Sequence, residues 1–250
     1  MRSSTHIVDC RFVGDALAQQ QVVVDAIRRG DAARTMSSRS HRSVVGTFPS
    51  RKMHCAFRAE SGLEWLAMLH CDVLESVVAF RPNAVEVRFE HDGRARTAYP
   101  DIAVLRRDGR PEFWEIKPSI HPGAERLQRL RALARGLSLV GIPYMVRQPH
   151  WLCREPALKN ARAIHRHAGV APPGCHLLNV ARALSKRGGT TLAGMAQALE
   201  LRSADLLGFV ARGMIALDIG AHPITGSTPI MLPLSNATSG AFDSTLSEDR

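Results

Sequence analysis

Lysine is scarce in this chain: only Lys52, Lys117, Lys159 and Lys186 occur among 33 basic residues in 250 positions. Aromatic residues are 5% of the sequence, too few for a surface that grips single strands by stacking on bases. The five cysteines, Cys10, Cys55, Cys71, Cys153 and Cys175, are widely spaced without a CxxC pair. That spacing suggests neither a disulfide framework nor a zinc ribbon, and it fits a reducing compartment. No apolar run reaches the roughly 18 residues of a membrane span, and the N-terminus has no apolar signal segment. The expectation is a cytoplasmic, nucleoid-associated protein with no membrane partner. There is no internal repeat, no HExxH and no phosphate-cradling glycine loop. Ser185–Gly189 reads as a helix end and turn. His165 and His167, two apart on an expected helix, point in different directions, so a zinc site is not expected.

What is present is a 45% hydrophobic composition, enough for a real core, and a formal net charge of +10. A surplus of that size favours a polyanionic partner such as double-stranded DNA, because basic side chains displace counterions from phosphates. It also occurs in proteins that merely resist aggregation, so charge alone decides nothing.

Along the chain, residues 1–43 read as an arm, partly disordered, with one helical stretch at Ala16–Arg29 and a polar link at 34–43. From residue 44 to 150 the pattern is α/β. Leu63, Leu66, Ala67 and Leu69 recur at helical spacing behind Ser61 as N-cap. Strands are expected at 84–90, 97–105, 111–117 and 142–148, with turns at His91–Gly93 and Asp108-Gly109 and an amphipathic helix at 123–139. A helix, a meander, a second helix and a last strand make a mixed sheet flanked by helices. After a linking helix in 151–174, short helices at 175–187, 191–199 and 203–212 and strands at 214–219 and 228–233 suggest a small winged-helix-like α+β domain. Its third helix would lie in a DNA groove or dock protein, since Arg202 and Arg212 are its only basic residues. The tail from 234 lacks periodicity and is expected to be disordered. Arg126 and Arg129 share a helix face that could track DNA, although a solvated face explains them as well. Trp65, Trp114 and Trp151 read as core or junction residues.

The chemistry concentrates in Pro100-Asp101, thirteen residues, then Glu115-Ile116-Lys117. Adjacent antiparallel strands would bring Asp101 near Glu115, and Glu115 and Lys117 share one strand face. Two carboxylates and an ammonium at one half-buried point are costly unless a hard divalent cation neutralises them. Such a cation polarises a phosphodiester and acidifies a bound water, with Lys117 orienting the water or offsetting developing charge. A bare [DE]xK tripeptide is more often a surface ion pair. Here Lys117 is the only lysine with an acidic residue two places before it, and Phe113, Trp114, Ile116 and Pro118 surround it.

These residues resemble the PD-(D/E)xK nuclease signature. Together with "GTFPSRKM" (46–53), "ESGLEW" (60–65), "YPDIAV" (99–104) and "EFWEIKP" (112–118), they resemble the N-terminal domain of TnsA, the endonuclease subunit of heteromeric transposases. The resemblance covers about residues 44–150. It implies a restriction-endonuclease-like fold and a catalytic set of Glu64, Asp101, Glu115 and Lys117. It further implies Mg2+, replaceable by Mn2+, on Glu64, Asp101, Glu115 and Ile116. Glu60, one helical turn before Glu64, competes for that role. Implied partners are double-stranded DNA at transposon ends, a DDE-type transposase subunit and an ATPase transposition regulator. The alternatives are a stand-alone restriction-like or repair nuclease of the same fold, and a catalytically inactive winged-helix DNA-binding protein.

Overall fold

The computed structural model describes residues 6–11, 15–30, 46–118, 123–169, 190–231 and 233. Its centre is a four-stranded mixed sheet. Strands β4 (Val77–Pro82), β7 (Ile102–Arg106) and β8 (Pro111–Ile116) run antiparallel in that order, and β9 (Tyr144–Arg147) joins β8 in parallel. Helix α3 (Ala124–Leu139) makes the crossover to β9 that a parallel pair requires.

Period-two alternation sends the sheet's side chains into two separate cores. Ile102, Val104, Trp114 and Ile116 enter one cluster with α2 (Gly62–Val73), α5 (Ala157–His167) and the C-terminal helices. Ala103, Leu105 and Phe113 enter the other, with α1 (Ala16–Arg29) and the buried Ala132, Leu133 and Leu137 of α3. The hairpin β5 (Glu86–His91) and β6 (Arg94–Ala98) belongs to a second sheet, where β1 (Ile7–Asp9) pairs in parallel with β5. Asp92 and Gly93 both adopt positive φ, as a two-residue hairpin turn of this hand demands. Strands β2 (Gly46–Ser50) and β3 (Cys55–Ala59) form a third small sheet.

Several expectations are corrected. The expected meander is two hairpins, with 84–90 in a different sheet from the [DE]xK strand. The expected strand at 97–105 is broken at Tyr99–Asp101, because Pro100 has no N–H for a ladder, and Asp101 falls at the break. Strand β4, missing from the sequence reading, supplies the sheet edge; its register slips between Val77 and Ala79, which blurs the alternation. The described part of the expected arm at 1–43 packs on the rest of the fold. Val23, Ala26 and Ile27 of α1 are buried, and β1 is paired. The linking helix expected in 151–174 is two, α4 (Pro149–Leu152) and α5.

At the C-terminal end, α6 (Leu192–Leu199) and α7 (Ser203–Ala211) match the expectation. Segment 214–219 is not a strand. It makes a single bridge, Ala216 to Met231, while β10 (Thr190–Thr191) pairs with β11 (Pro229–Ile230). These elements share the α2 and α5 cluster. The helix expected at 175–187, the polar link at 34–43 and the tail from 234 lie outside the described residues. No described helix is long and apolar enough to cross a membrane.

Lys52 fastens α2 to the sheet edge. Its ammonium is buried and donates 2.7 Å hydrogen bonds to the carbonyls of Cys71, Leu74 and Val77, two of them at the helix's last turn. Asp72 beside it accepts from Ser50 Oγ and from the Arg51 and Lys52 amides. Burial outweighs the Asp72 charge and pushes the lysine down to about 8. Removing three donors at once strips the Cys71 and Val77 carbonyls of the ammonium and leaves Leu74 O with only the Val77 amide. Lys52→Met should therefore cost about 3 kcal/mol in urea unfolding; a loss under about 0.5 kcal/mol would contradict this role.

Candidate active site

Asp101 follows the break that ends the hairpin, Glu115 is on β8, and Lys117 follows directly. Because β7 begins only at Ile102, opposite Trp114, while β8 continues to Ile116, the Ile116 amide extends past its neighbouring strand. Asp101 Oδ2 takes that N–H at 2.6 Å, substituting a carboxylate for the missing carbonyl. On the other side, the Lys117 amide donates to Arg147 O at 3.0 Å, which holds the motif's end against β9. Arg147 is itself fixed on the faces of Trp114 and Trp151, at 4.6 and 4.3 Å from the ring centroids.

With its backbone held on both sides, the motif gathers its side chains. Lys117 Nζ is in direct contact with Glu115 Oε1 and 3.9 Å from Asp101 Oδ2. The Lys117 and Glu115 side chains are 13% and 12% exposed, so water screens this cluster poorly. Burial, then the Glu115 charge, push the Asp101 carboxyl up to about 7 against the opposing pull of Lys117 and the Ile116 amide. The spot carries more negative charge than Lys117 neutralises.

Glu64 stands at the first turn of α2, on the other core's side of the sheet. Its carboxylate turns back on its own helix start, accepting from the Glu60 amide at 2.9 Å and from Ser61 Oγ at 3.2 Å, while Ser61 caps the Glu64 amide. Burial raises its pKa, and it senses both Glu60 and Lys117. Asp101 in turn feels the Glu64 charge. The structure thus brings Asp101, Glu115 and Lys117 together and leaves Glu64 nearby but bonded elsewhere. Among the described residues, no three His, Cys, Asp or Glu side chains form a metal cage. The donor set nevertheless suits magnesium, which commonly takes only one or two protein carboxylates: Asp101 and Glu115, with the Ile116 carbonyl as a further hard oxygen. Their unneutralised charge is the observation that favours a cation.

One neighbour escaped the sequence reading. Tyr144, on β9 in register with Phe113, faces the Glu115 charge, and burial with that charge raises its phenol strongly. Its buried hydroxyl lies against the Glu115 carboxylate. Only the parallel β8–β9 register reveals it. Arg129 is engaged with Thr97 O at 2.9 Å, whereas Arg126, which Tyr144 also senses, is exposed. His165 is used structurally, its Nε2 lying 3.1 Å from Pro49 O and 3.6 Å from Asp72.

In comparisons with known proteins, the chain matches no protein-family model and no curated protein.

Asp101's raised folded-state pKa has a stability consequence. The folded chain holds this proton more tightly than the unfolded chain, so its contribution falls as pH rises from about 4 to about 7. Asparagine keeps the acceptor for Ile116 and removes the charge. In chelator, Asp101→Asn should stabilise the protein at pH 8 by on the order of 2 kcal/mol and leave it unchanged near pH 4. Urea unfolding at the two pH values checks this, and equal effects at both would refute it.

Proposed function

We propose that this protein is a metal-dependent DNA endonuclease of a heteromeric transposase, hydrolysing phosphodiester bonds at transposon ends. The observation that carries the reading is the convergence of Asp101, Glu115 and Lys117 beyond the end of β7, with excess negative charge on a poorly hydrated spot. The mixed sheet flanked by helices is compatible with a restriction-endonuclease-like core. The two short helices and small antiparallel pairing at 190–231 are compatible with a winged helix that docks DNA or protein.

In this reading Asp101 and Glu115 hold Mg2+ or Mn2+, with the Ile116 carbonyl. The ion, when bound, polarises the scissile phosphate and acidifies a water. Lys117, placed between two carboxylates, orients the attacking water or offsets charge developing on the phosphate oxygens. Glu64 exchanges its helix-start bonds for a role at the cation, or stays a cap that shapes the field around Asp101. The basic surplus draws in double-stranded DNA. A DDE-type transposase subunit and an ATPase regulator are the partners proposed on the TnsA resemblance.

One observation favours the catalytically inactive DNA-binding reading: Glu64 is bonded away from the cluster, and Lys117 sits on Glu115. Cleavage separates the two. With Mg2+, element-end DNA and the transposase subunit, the wild type should cut, and Asp101→Ala or Lys117→Ala should cut about 10³-fold more slowly while binding DNA normally. Unchanged cleavage would exclude this site, and an uncut substrate with tight binding by the wild type would favour the inactive reading.

A further inference from the structure

We propose that the backbone of double-stranded DNA lies along a row of arginines, Arg94, Arg96 and Arg126, running from the β5–β6 hairpin towards the Asp101 cluster. The row fixes where the duplex sits in the nuclease reading, and it rests on that reading.

The arginines of α3 divide between two faces. Arg131 and Arg135 take the solvent side and are exposed. Arg126 and Arg129 do not. Leu133 and Leu137 follow Arg126 by seven and eleven residues, and Ala132 and Leu133 follow Arg129 by three and four. At helical spacing these positions form one stripe. The stripe is buried in the core that α1 and α3 share, and it ends in arginine at the first turns of α3. A solvated face would carry them on the opposite side. Arg129 braces this end, its guanidinium donating to Thr97 O at 2.9 Å. Arg126, one turn nearer the helix start, acts on the Tyr144 hydroxyl that lies against Glu115.

The hairpin sends two more arginines to the same side. Arg96 is directly opposite Phe89 and Arg94 opposite His91, so both leave on the face where Phe89 enters the α3 core. Strand β6 is the outer strand of its sheet, and both arginines are exposed. Charge on either face of an edge strand would guard against stray pairing. Here both charges take the α3 face, while Glu86 and Glu90 alternate to the other. The side chains of Arg94, Arg96 and Arg126 make no ion pair or hydrogen bond among the described residues. The nearby carboxylates are accounted for: Glu125 is in the first turn of α3, where the helix dipole favours it, and Asp92 lies 3.4 Å from His91.

Unengaged guanidinium groups from a strand and a helix, on one side of a site for phosphodiesters, suit the oxyanions of a DNA strand. Thr97, where the helix is braced, and Asp101 are separated by at most about 14 Å of extended chain. A DNA strand presents a phosphate about every 3.4 Å of helix axis, so the row meets the backbone about four nucleotides from the bond to be cut.

Fluorescence anisotropy of a labelled 20-base-pair duplex, titrated with the full-length protein in chelator from about 50 to about 200 mM KCl, tests the row. Arg96→Gln/Arg126→Gln should bind at least about tenfold more weakly and flatten the slope of log affinity against log salt by about 1.8. Arg96→Lys/Arg126→Lys keeps both charges and should retain most of that slope. Lys159→Gln/Arg162→Gln removes the same charge from the exposed face of α5 and should bind like the wild type. Equal losses from the two glutamine pairs would show that net charge alone matters and overturn the proposal. No measurable duplex binding by the wild type overturns it too. Unchanged duplex binding by Arg96→Gln/Arg126→Gln also overturns it and leaves the row to an acidic protein surface. Cleavage then separates the row from the reading beneath it. If Arg96→Gln/Arg126→Gln binds and cuts like the wild type, the row fails and the nuclease reading stands. A wild type that binds through the row yet never cuts makes the nuclease reading fail by itself.

Discussion

A single hydrogen bond organises the candidate active site: the Asp101 carboxylate on the Ile116 amide. It exists because two neighbouring strands end at different heights. Pro100 cannot continue the ladder, β8 goes on without its partner, and a side chain takes the place of backbone. That substitution sets a negative charge at the sheet's end, where burial is incomplete but water is scarce. Lys117 and Glu115 follow from the same geometry, since both alternate out of the strand whose amide Asp101 anchors. Backbone accounting and site chemistry are therefore the same event here.

The two cores set which face of the sheet each site residue takes. Even-numbered residues of β7 and β8 feed the α2 face and odd-numbered ones feed the α1 and α3 face. Glu115 continues the odd series beyond Phe113, past the last large apolar residue of that layer. Glu64 approaches round the sheet end from the opposite face, which is why it shares electrostatic influence with Asp101 and Lys117 without joining their contact. Closing that gap requires Glu64 to give up the Glu60 amide, a bond worth about 1 kcal/mol, so a cation could offset the change.

Local chemistry made much of this legible in the sequence. Ala16–Arg29, the Ser61 cap, the Asp92-Gly93 turn and the Asp108-Gly109 turn all depend on neighbours close in the chain, and the structure has each of them. The [DE]xK spacing likewise placed Asp101, Glu115 and Lys117 together. What escaped was non-local. Strand β4 hides behind a register slip, and the β5–β6 hairpin leaves the main sheet for β1. Tyr144 meets Glu115 only through parallel pairing, which no periodicity announces. The resemblance implied Glu64 as a catalytic residue and metal ligand, whereas its carboxylate accepts from Glu60 N and Ser61 Oγ, bonds that depend on how the helix start is wound.

The central proposal is that Asp101 and Glu115 would hold a divalent cation. Crystals soaked in Mn2+ and measured at the manganese edge test it most directly. The account predicts an anomalous peak beside Asp101 and Glu115, with Lys117 displaced from Glu115. Fully soaked crystals with no peak there, and Lys117 still seated on Glu115, would contradict it.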